Sequence, residues 1–265
     1  MNTVNEFFGP RKGTKVPYLK DNDTTLEFRE GGKLVAAYIP GICVSEKTLT
    51  GLNSINFTRV IYISPYKKIN TTPRLTWAYG VVEPDDNFRR DSKKSQPIVS
   101  YHNLNFVPEA MPEWLNDLAV HCRDLAKDIA GFDPGYNSCI IGKYEDGEDC
   151  IGFHTDAETF LATKFCANVT VGAERDFHFK IEGMTHGITL ADKSLFFFDS
   201  VEHALPKRKK LFKGPSAVRY SISFRNMKND IGIGNSYYYC RGLAGAIDDD
   251  VKTAYIQKME DIKNK

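Results

Sequence analysis

The sequence has almost no excess charge of either sign: 35 Lys and Arg stand against 34 Asp and Glu, a formal net charge of +1. That balance excludes a protein that grips polyanions through bulk charge, so any basic surface must be local. It also lacks a run of about 18 apolar residues, the length needed to cross a bilayer as a helix. Its longest apolar core, Ser194-Leu-Phe-Phe-Phe198, is far shorter and reads as a buried strand. No leading apolar stretch marks it for export, and no CxxC pair or regular spacing links its six cysteines. Such thiols suit small buried hydrophobes of an intracellular protein, nuclear or cytoplasmic, rather than a disulfide framework. Internal repeats and low-complexity tracts are absent as well. What is plentiful is apolar surface: 42% of residues are hydrophobic, enough for a substantial core. The length, 265 residues, suits one domain with extensions, expected to be a monomer.

Residues 1–33 are polar and aperiodic, which predicts an arm lying over the core or partly disordered. Strand signals begin at Leu34–Ile39 and continue at Arg59–Ser64 and Leu75–Tyr79. Residues 83–97 read as a charged loop. A helix is expected after Pro112, because Trp114, Leu115, Leu118, Cys122, Leu125 and Ile129 recur every three or four positions before Gly131. Strand signals then crowd together at 138–141, 165–171, 176–181, 187–190, 194–198 and 218–224. Many short strands between turns predict a mainly β fold with flanking helices, two sheets packed as a jelly roll. The tail reads as an extension, 227–265, ending in an amphipathic helix over 248–262 with Val251, Tyr255, Met259 and Ile262 on one stripe.

Chemistry concentrates in three segments: Gly152-Phe-His-Thr-Asp-Ala-Glu158, Asp199-Ser-Val-Glu-His-Ala-Leu-Pro-Lys207 and Arg219-Tyr-Ser-Ile-Ser-Phe-Arg225. His154, Asp156 and the distant His203 form a two-histidine, one-carboxylate set of the kind that holds non-haem Fe(II) and leaves coordination positions open. Residues i and i+2 of a strand share a face, so His154 and Asp156 can both point into the mouth of the fold. Arg219 and Arg225 suit a dicarboxylate clamped beside the metal, since a guanidinium fork pairs bidentately with carboxylate. Taken singly, each part has a bland reading as a surface or core residue. The order of ligand pair, lone ligand and arginine pair is the signature of an Fe(II)- and 2-oxoglutarate-dependent oxygenase.

These residues resemble the AlkB family of oxidative nucleic-acid dealkylases. The matching blocks are Pro73-Arg-Leu-Thr-Trp-Ala-Tyr-Gly80, Asn137 to Gly147, His154 to Glu158, Val171 to Phe177, and His203 to Arg225, within residues 34–226. The resemblance implies a double-stranded β-helix core in an oxygenase domain over 34–226, with Fe(II), 2-oxoglutarate and O2 as reactants. It implies His154, Asp156 and His203 as iron ligands. Tyr144 and Arg219 would hold the distal carboxylate of 2-oxoglutarate, and Arg225 the metal-proximal end. Arg74, Tyr79, Glu158 and Arg175 would meet the substrate, Tyr79 and Glu158 bordering a flipped base. Where the family has an Asn two residues before the co-substrate Tyr, this chain has Gly142. Restoring Asn at 142 is expected to tighten co-substrate binding.

The leading expectation is oxidative demethylation of N-alkylated bases in DNA or RNA, such as 1-methyladenine or 3-methylcytosine, releasing formaldehyde, succinate and CO2. Basic clusters at Lys207–Lys210 with Lys213, and at Arg89, Arg90, Lys93 and Lys94, would then touch phosphates. Two alternatives stand beside it. One is a 2-oxoglutarate-dependent hydroxylase or demethylase of protein or small molecules, which the near-neutral charge favours. The other is a binding module that keeps the fold without turnover, for which Gly142 is the sequence argument.

Overall fold

The computed structural model describes residues 8–10, 17–19, 24–59, 61–63, 69–80, 99–101, 104–107, 109–156, 161–208, 217–227 and 239–241. Strands in chain order are β1 (Phe8–Pro10), β2 (Pro17–Leu19), β3 (Leu26–Glu30), β4 (Lys33–Ile39), β5 (Ile61–Ile63), β6 (Ile69–Thr71) and β7 (Leu75–Gly80). They continue as β8 (Val99–Tyr101), β9 (Leu104–Val107), β10 (Glu109–Ala110), β11 (Ser138–Tyr144), β12 (Ile151–His154) and β13 (Leu161–Gly172). The last six are β14 (Arg175–Ile181), β15 (Met184–Leu190), β16 (Ser194–Asp199), β17 (His203–Leu205), β18 (Arg219–Met227) and β19 (Tyr239–Arg241). Among the described residues there are two helices, α1 (Glu46–Ser54) and α2 (Glu113–Ala130).

An eight-stranded major sheet runs β10-β7-β11-β18-β13-β16-β4-β3, and a six-stranded minor sheet runs β1-β2-β15-β14-β17-β12. The expected double-sheet, jelly-roll architecture with helices backing one sheet is therefore present. Strict alternation explains how one sheet serves two cores. Phe165, Ala167, Val169 and Val171 of β13, with Ile222 and Phe224 of β18, pack under α2 residues such as Leu115, Leu118 and Cys122. Phe196 and Phe198 of β16 turn the other way, meeting Phe177 and Phe179 of the minor sheet between the layers. The major sheet is thus buried on both faces, which is why Leu195 to Phe198 reads as a continuous apolar run.

The helix after Pro112 starts at Glu113, with Pro112 as its cap, and ends at Gly131, whose φ of 76° is the left-handed conformation that favours glycine. Each strand expected from 138 onwards is found, mostly longer than its apolar core. Several elements depart from the sequence reading, among them β1 and β2, which add strands from within the expected arm to the minor sheet. Leu26–Glu30, inside the expected arm, is the edge strand of the major sheet, pairing antiparallel with β4 through the turn at Gly31 and Gly32. Only Leu26 and Phe28 point inward there, so its alternation is easily lost among charged neighbours. Helix α1 arises where no helix is expected, in a polar segment with a glycine. Its start is set by the Ser45 side chain, which accepts from the Thr48 amide. Gly51 lets it pack against α2: a Cβ there would stand 2.3 Å from the Trp114 ring.

The expected C-terminal helix over 248–262, most of the arm, the 83–97 loop and the basic residues Arg89, Arg90, Lys93, Lys94, Lys209, Lys210 and Lys213 lie outside the described residues. Among the described residues no helix is long and apolar enough to cross a membrane.

Candidate functional site

β12 and β17 pair at one edge of the minor sheet, in a register that sets His154 opposite His203. Their ring centroids are 4.3 Å apart. Asp156 follows two residues beyond His154, just past the strand end. Ligand atoms of His154, Asp156 and His203 all lie within 4.8 Å of one another. Residues 49 positions apart in the chain are thus gathered around one point by a strand pairing, as the spacing required.

The rings are prepared for metal binding. Nδ1 of His154 lies 2.9 Å from the Gly152 carbonyl oxygen, and Nδ1 of His203 lies 2.9 Å from that of Val201. A carbonyl only accepts, so Nδ1 carries the proton in both rings and each Nε2 keeps a lone pair for a metal. Burial, and the neighbouring imidazole, lower the His154 pKa to about 4, and burial also lowers that of His203. Both are neutral near pH 7, the form that ligates. The rings of Phe177 and Phe198, at 5.5 and 4.6 Å, hold His203 in place.

Asp156 ties the two sheets together. Arg225 of β18 donates Nε to Oδ2 at 3.0 Å and Nη2 to Oδ1 at 2.8 Å, a bidentate pair. Burial alone would raise the carboxyl pKa, but the Arg225 charge outweighs it and keeps Asp156 ionised. Cys166 Sγ lies 3.5 Å from Asp156 Oδ2. Arg225 therefore stands at the metal-proximal end, reaching it through Asp156.

On the opposite wall β11, β18 and β13 are neighbours in the major sheet and bring Tyr144, Arg219 and Thr170 together. Arg219 is 1% exposed and donates Nη2 to Thr170 Oγ1 at 3.0 Å. Its Nε and Nη1 are buried without a partner. Burial, eased by Tyr144, lowers its pKa to about 10, so it remains a cation. Orphaned guanidinium donors on a residue that lines a cavity fit an anionic acceptor such as a carboxylate. The donor set thus fits both groups: two neutral imidazoles and a carboxylate for Fe(II), and a buried arginine with unpartnered donors for the far end of 2-oxoglutarate.

A cavity of about 520 Å³ joins the two ends. Among its lining are Arg74, Tyr144, His154, Asp156, His203, Arg219 and Arg225. Three residues given no role in the sequence reading, Asn168, Ser221 and Ser223, also line it. Asn168 Nδ2 donates to both serine hydroxyls, at 2.7 and 2.9 Å, leaving its Oδ1 without a partner. The signal was legible: Asn168 and Thr170 are polar residues at alternate positions of an apolar strand, which marks a face turned away from the core.

Two of the expected substrate residues, Tyr79 and Arg175, are placed otherwise. Tyr79 does not border the cavity. It shares its strand face with Trp77, opposite to Thr76, and is buried with Leu115 and Cys139 in the core under the helices. Burial there pushes its pKa up to about 12. Arg175 is 2% exposed and is committed to structure, donating to the carbonyls of Asp146, Asp149 and Pro206 at 2.8 to 3.0 Å. Glu158 lies outside the described residues. Of the basic cluster, Lys207 pairs with Glu148 at 3.3 Å and Arg208 with Asp176 at 3.2 Å.

Comparison with known proteins agrees with this geometry at the level of the family. No curated protein matches the chain. Among solved structures, a 2OG-Fe(II) oxygenase family oxidoreductase from Burkholderia pseudomallei aligns over 73% of this chain and 87% of its own, with 12% identity and a TM-score of 0.48. The structure of OsALKBH1 aligns over 77% of this chain and 100% of its own, with 12% identity and a TM-score of 0.49. The profile of the 2OG-Fe(II) oxygenase superfamily matches residues 72–225, which spans the segment from the cavity lip at Thr72 to the last arginine. Covering more than half of the sequence, that match identifies this chain as a member of the 2OG-Fe(II) oxygenase superfamily, a dioxygenase that uses Fe(II) and 2-oxoglutarate.

Proposed function

We propose that this enzyme oxidatively demethylates N-alkylated bases in DNA or RNA, with His154, Asp156 and His203 holding the iron. The carrying observation is that seven residues quoted for the AlkB resemblance line one cavity with room beyond the co-substrate. Pockets that bury a small molecule span about 300–1,000 Å³, so about 520 Å³ accommodates 2-oxoglutarate and a flipped base together. At the rim, Phe153 is 43% exposed, with Lys180 Nζ, which also pairs with Glu202 at 2.7 Å, 4.7 Å from its ring centre. Exposed aromatics with nearby cations suit bases and phosphates.

When bound, Fe(II) and 2-oxoglutarate supply oxidation of a C–H bond by O2, with succinate and CO2 formed alongside. The chain's own residues hold the reactants in place. Arg219 and Tyr144 fix the distal carboxylate of 2-oxoglutarate, which sets its keto acid end toward the histidines. Arg225 holds Asp156 ionised and fixed in rotation. Phe177 and Phe198 keep water from the rear of His203. A methyl group on a base nitrogen, once hydroxylated, loses formaldehyde and leaves the base restored.

The second reading, a protein or small-molecule substrate, is favoured by Tyr79 facing the core and by the pairing of Lys207 and Arg208. The test incubates the enzyme with Fe(II), 2-oxoglutarate and oligonucleotides carrying 1-methyladenine or 3-methylcytosine, single- and double-stranded. Formaldehyde released in proportion to succinate supports base demethylation. Succinate formed at one rate whether the oligonucleotide is methylated, unmethylated or omitted, with no formaldehyde, moves the assignment to the second reading.

A further inference from the structure

We infer that Asn168 is a positioning residue for 2-oxoglutarate, fixing the Ser221 and Ser223 hydroxyls so that both donate to the co-substrate between Arg219 and the metal end. This role depends only on the Fe(II) and 2-oxoglutarate chemistry of the superfamily, and holds whatever the primary substrate is. Arg219, Ser221, Ser223 and Arg225 occupy alternate positions of β18, so they share one face, and all four line the cavity. Arg219 belongs to the carboxylate end, and Arg225, through Asp156, to the metal end. The two serines stand between them, roughly 7 Å apart along the strand. A molecule stretched from one end to the other passes over both.

β13 orients what β18 presents. Its Thr170 accepts from Arg219 Nη2 at 3.0 Å. Its Asn168, opposite Ser223 in the strand pairing, donates Nδ2 to Ser223 Oγ at 2.9 Å and to Ser221 Oγ at 2.7 Å. An amide nitrogen carries two hydrogens, so these bonds use both. Each serine oxygen then accepts from Asn168, and its own hydrogen is directed away from the amide nitrogen, free to donate elsewhere. Without that constraint a strand serine turns its hydroxyl to a nearby main-chain carbonyl. All three side chains are buried, and Asn168 Oδ1 has no partner. The hydrogen bonds of the Asn168 side chain thus go to two hydroxyls on the cavity wall and to nothing that braces the fold.

The co-substrate has use for such donors. 2-Oxoglutarate brings two carboxylates, each with about four acceptor sites, into a buried space where an unmet acceptor is costly. One edge of the Arg219 guanidinium supplies at most two donors, and the Tyr144 hydroxyl one more. Serine hydroxyls add donors without adding a cation, which would repel Arg219 and oppose a metal ion at His154 and His203. An aspartate at 168 would reverse the arrangement. It would draw both hydroxyl hydrogens to itself and set a negative charge beside a dianion.

Calorimetric titration of 2-oxoglutarate into the Mn(II)-loaded full chain tests this without turnover. Asn168→Ala should weaken 2-oxoglutarate binding about tenfold, with Mn(II) affinity within about twofold of the parent. Asn168→Asp keeps the side-chain shape and should weaken it about a hundredfold. The discriminating background is Ser221→Ala combined with Ser223→Ala, which should itself bind at least about tenfold more weakly than the parent. Adding Asn168→Ala to it should change binding less than about twofold, because Asn168 acts through the hydroxyls. A structural role alone would give the same loss in both backgrounds. Parental affinity in Asn168→Ala and Asn168→Asp overturns the inference, as does a tenfold loss from Asn168→Ala on the serine-free background. An equal loss of Mn(II) affinity in Asn168→Ala also overturns it, since that marks a collapsed site. If Arg219→Lys binds like the parent as well, the assignment of this end of the cavity to 2-oxoglutarate is itself wrong.

Discussion

Single residues divide the site into a metal end and a carboxylate end, and each end has its own substitution. Arg219→Lys keeps a positive charge but replaces a fork by a point. With Nη2 already given to Thr170, the fork's free donors are the ones lost to the co-substrate. 2-Oxoglutarate binding should weaken by about 2–4 kcal/mol, read as its half-saturation in a succinate assay. An unchanged half-saturation would remove Arg219 from the clamp. At the metal end the three ligands are not equivalent probes. Asp156→Ala strands the buried Arg225 guanidinium and should cost about 3–5 kcal/mol of stability, so lost activity there mixes two effects. His154→Ala frees only the Gly152 carbonyl near the rim, and should abolish turnover while leaving the thermal midpoint within a few degrees of the parent.

At the scale of elements, the pairing of β12 with β17 makes the site and the loops beyond hold it in place. Arg175 binds the 145–150 loop to the exit of β17 through three carbonyls. Gly147 lets the same two segments touch, its carbonyl accepting from the Arg208 amide at 2.6 Å. Arg175→Met should therefore lower stability by about 3 kcal/mol, because three buried acceptors lose a charged donor. Denaturant unfolding measures this. A variant of parental stability with impaired substrate binding would instead return Arg175 to the substrate surface. The metal set was legible in the sequence because two ligands share one strand end and the third recurs before the arginine pair. Tyr79 misled because a motif position says nothing of strand face, whereas its parity with Trp77 does. Helix α1 was hidden by threonines and a glycine whose cost is offset by packing on Trp114, a contact distant in sequence. β3 was hidden because an edge strand with two inward residues carries little pattern. Arg175 looked like a substrate contact because its carbonyl partners come from segments that only the fold brings together.

At the scale of the molecule, the cavity concentrates cations and lone pairs that a metal and a dianion would satisfy. Ligands that bind the folded state alone stabilise it, by about 2.7 kcal/mol at one hundred times their dissociation constant. Mn(II) with 2-oxoglutarate should thus raise the thermal midpoint by roughly 5–10 °C, given about 2–4 °C per kcal/mol for a domain of this size. Chelation should reverse the shift. The measurement that tests the central claim most directly follows Mn(II) binding and succinate formation side by side in the parent enzyme and in His154→Ala and His203→Gln. The parent should bind one Mn(II) per chain and, with Fe(II), convert 2-oxoglutarate to succinate. Both variants should remain folded, lose high-affinity metal and form no succinate. Tight stoichiometric metal binding with undiminished succinate formation in both variants would contradict the assignment of His154, Asp156 and His203 as the iron site.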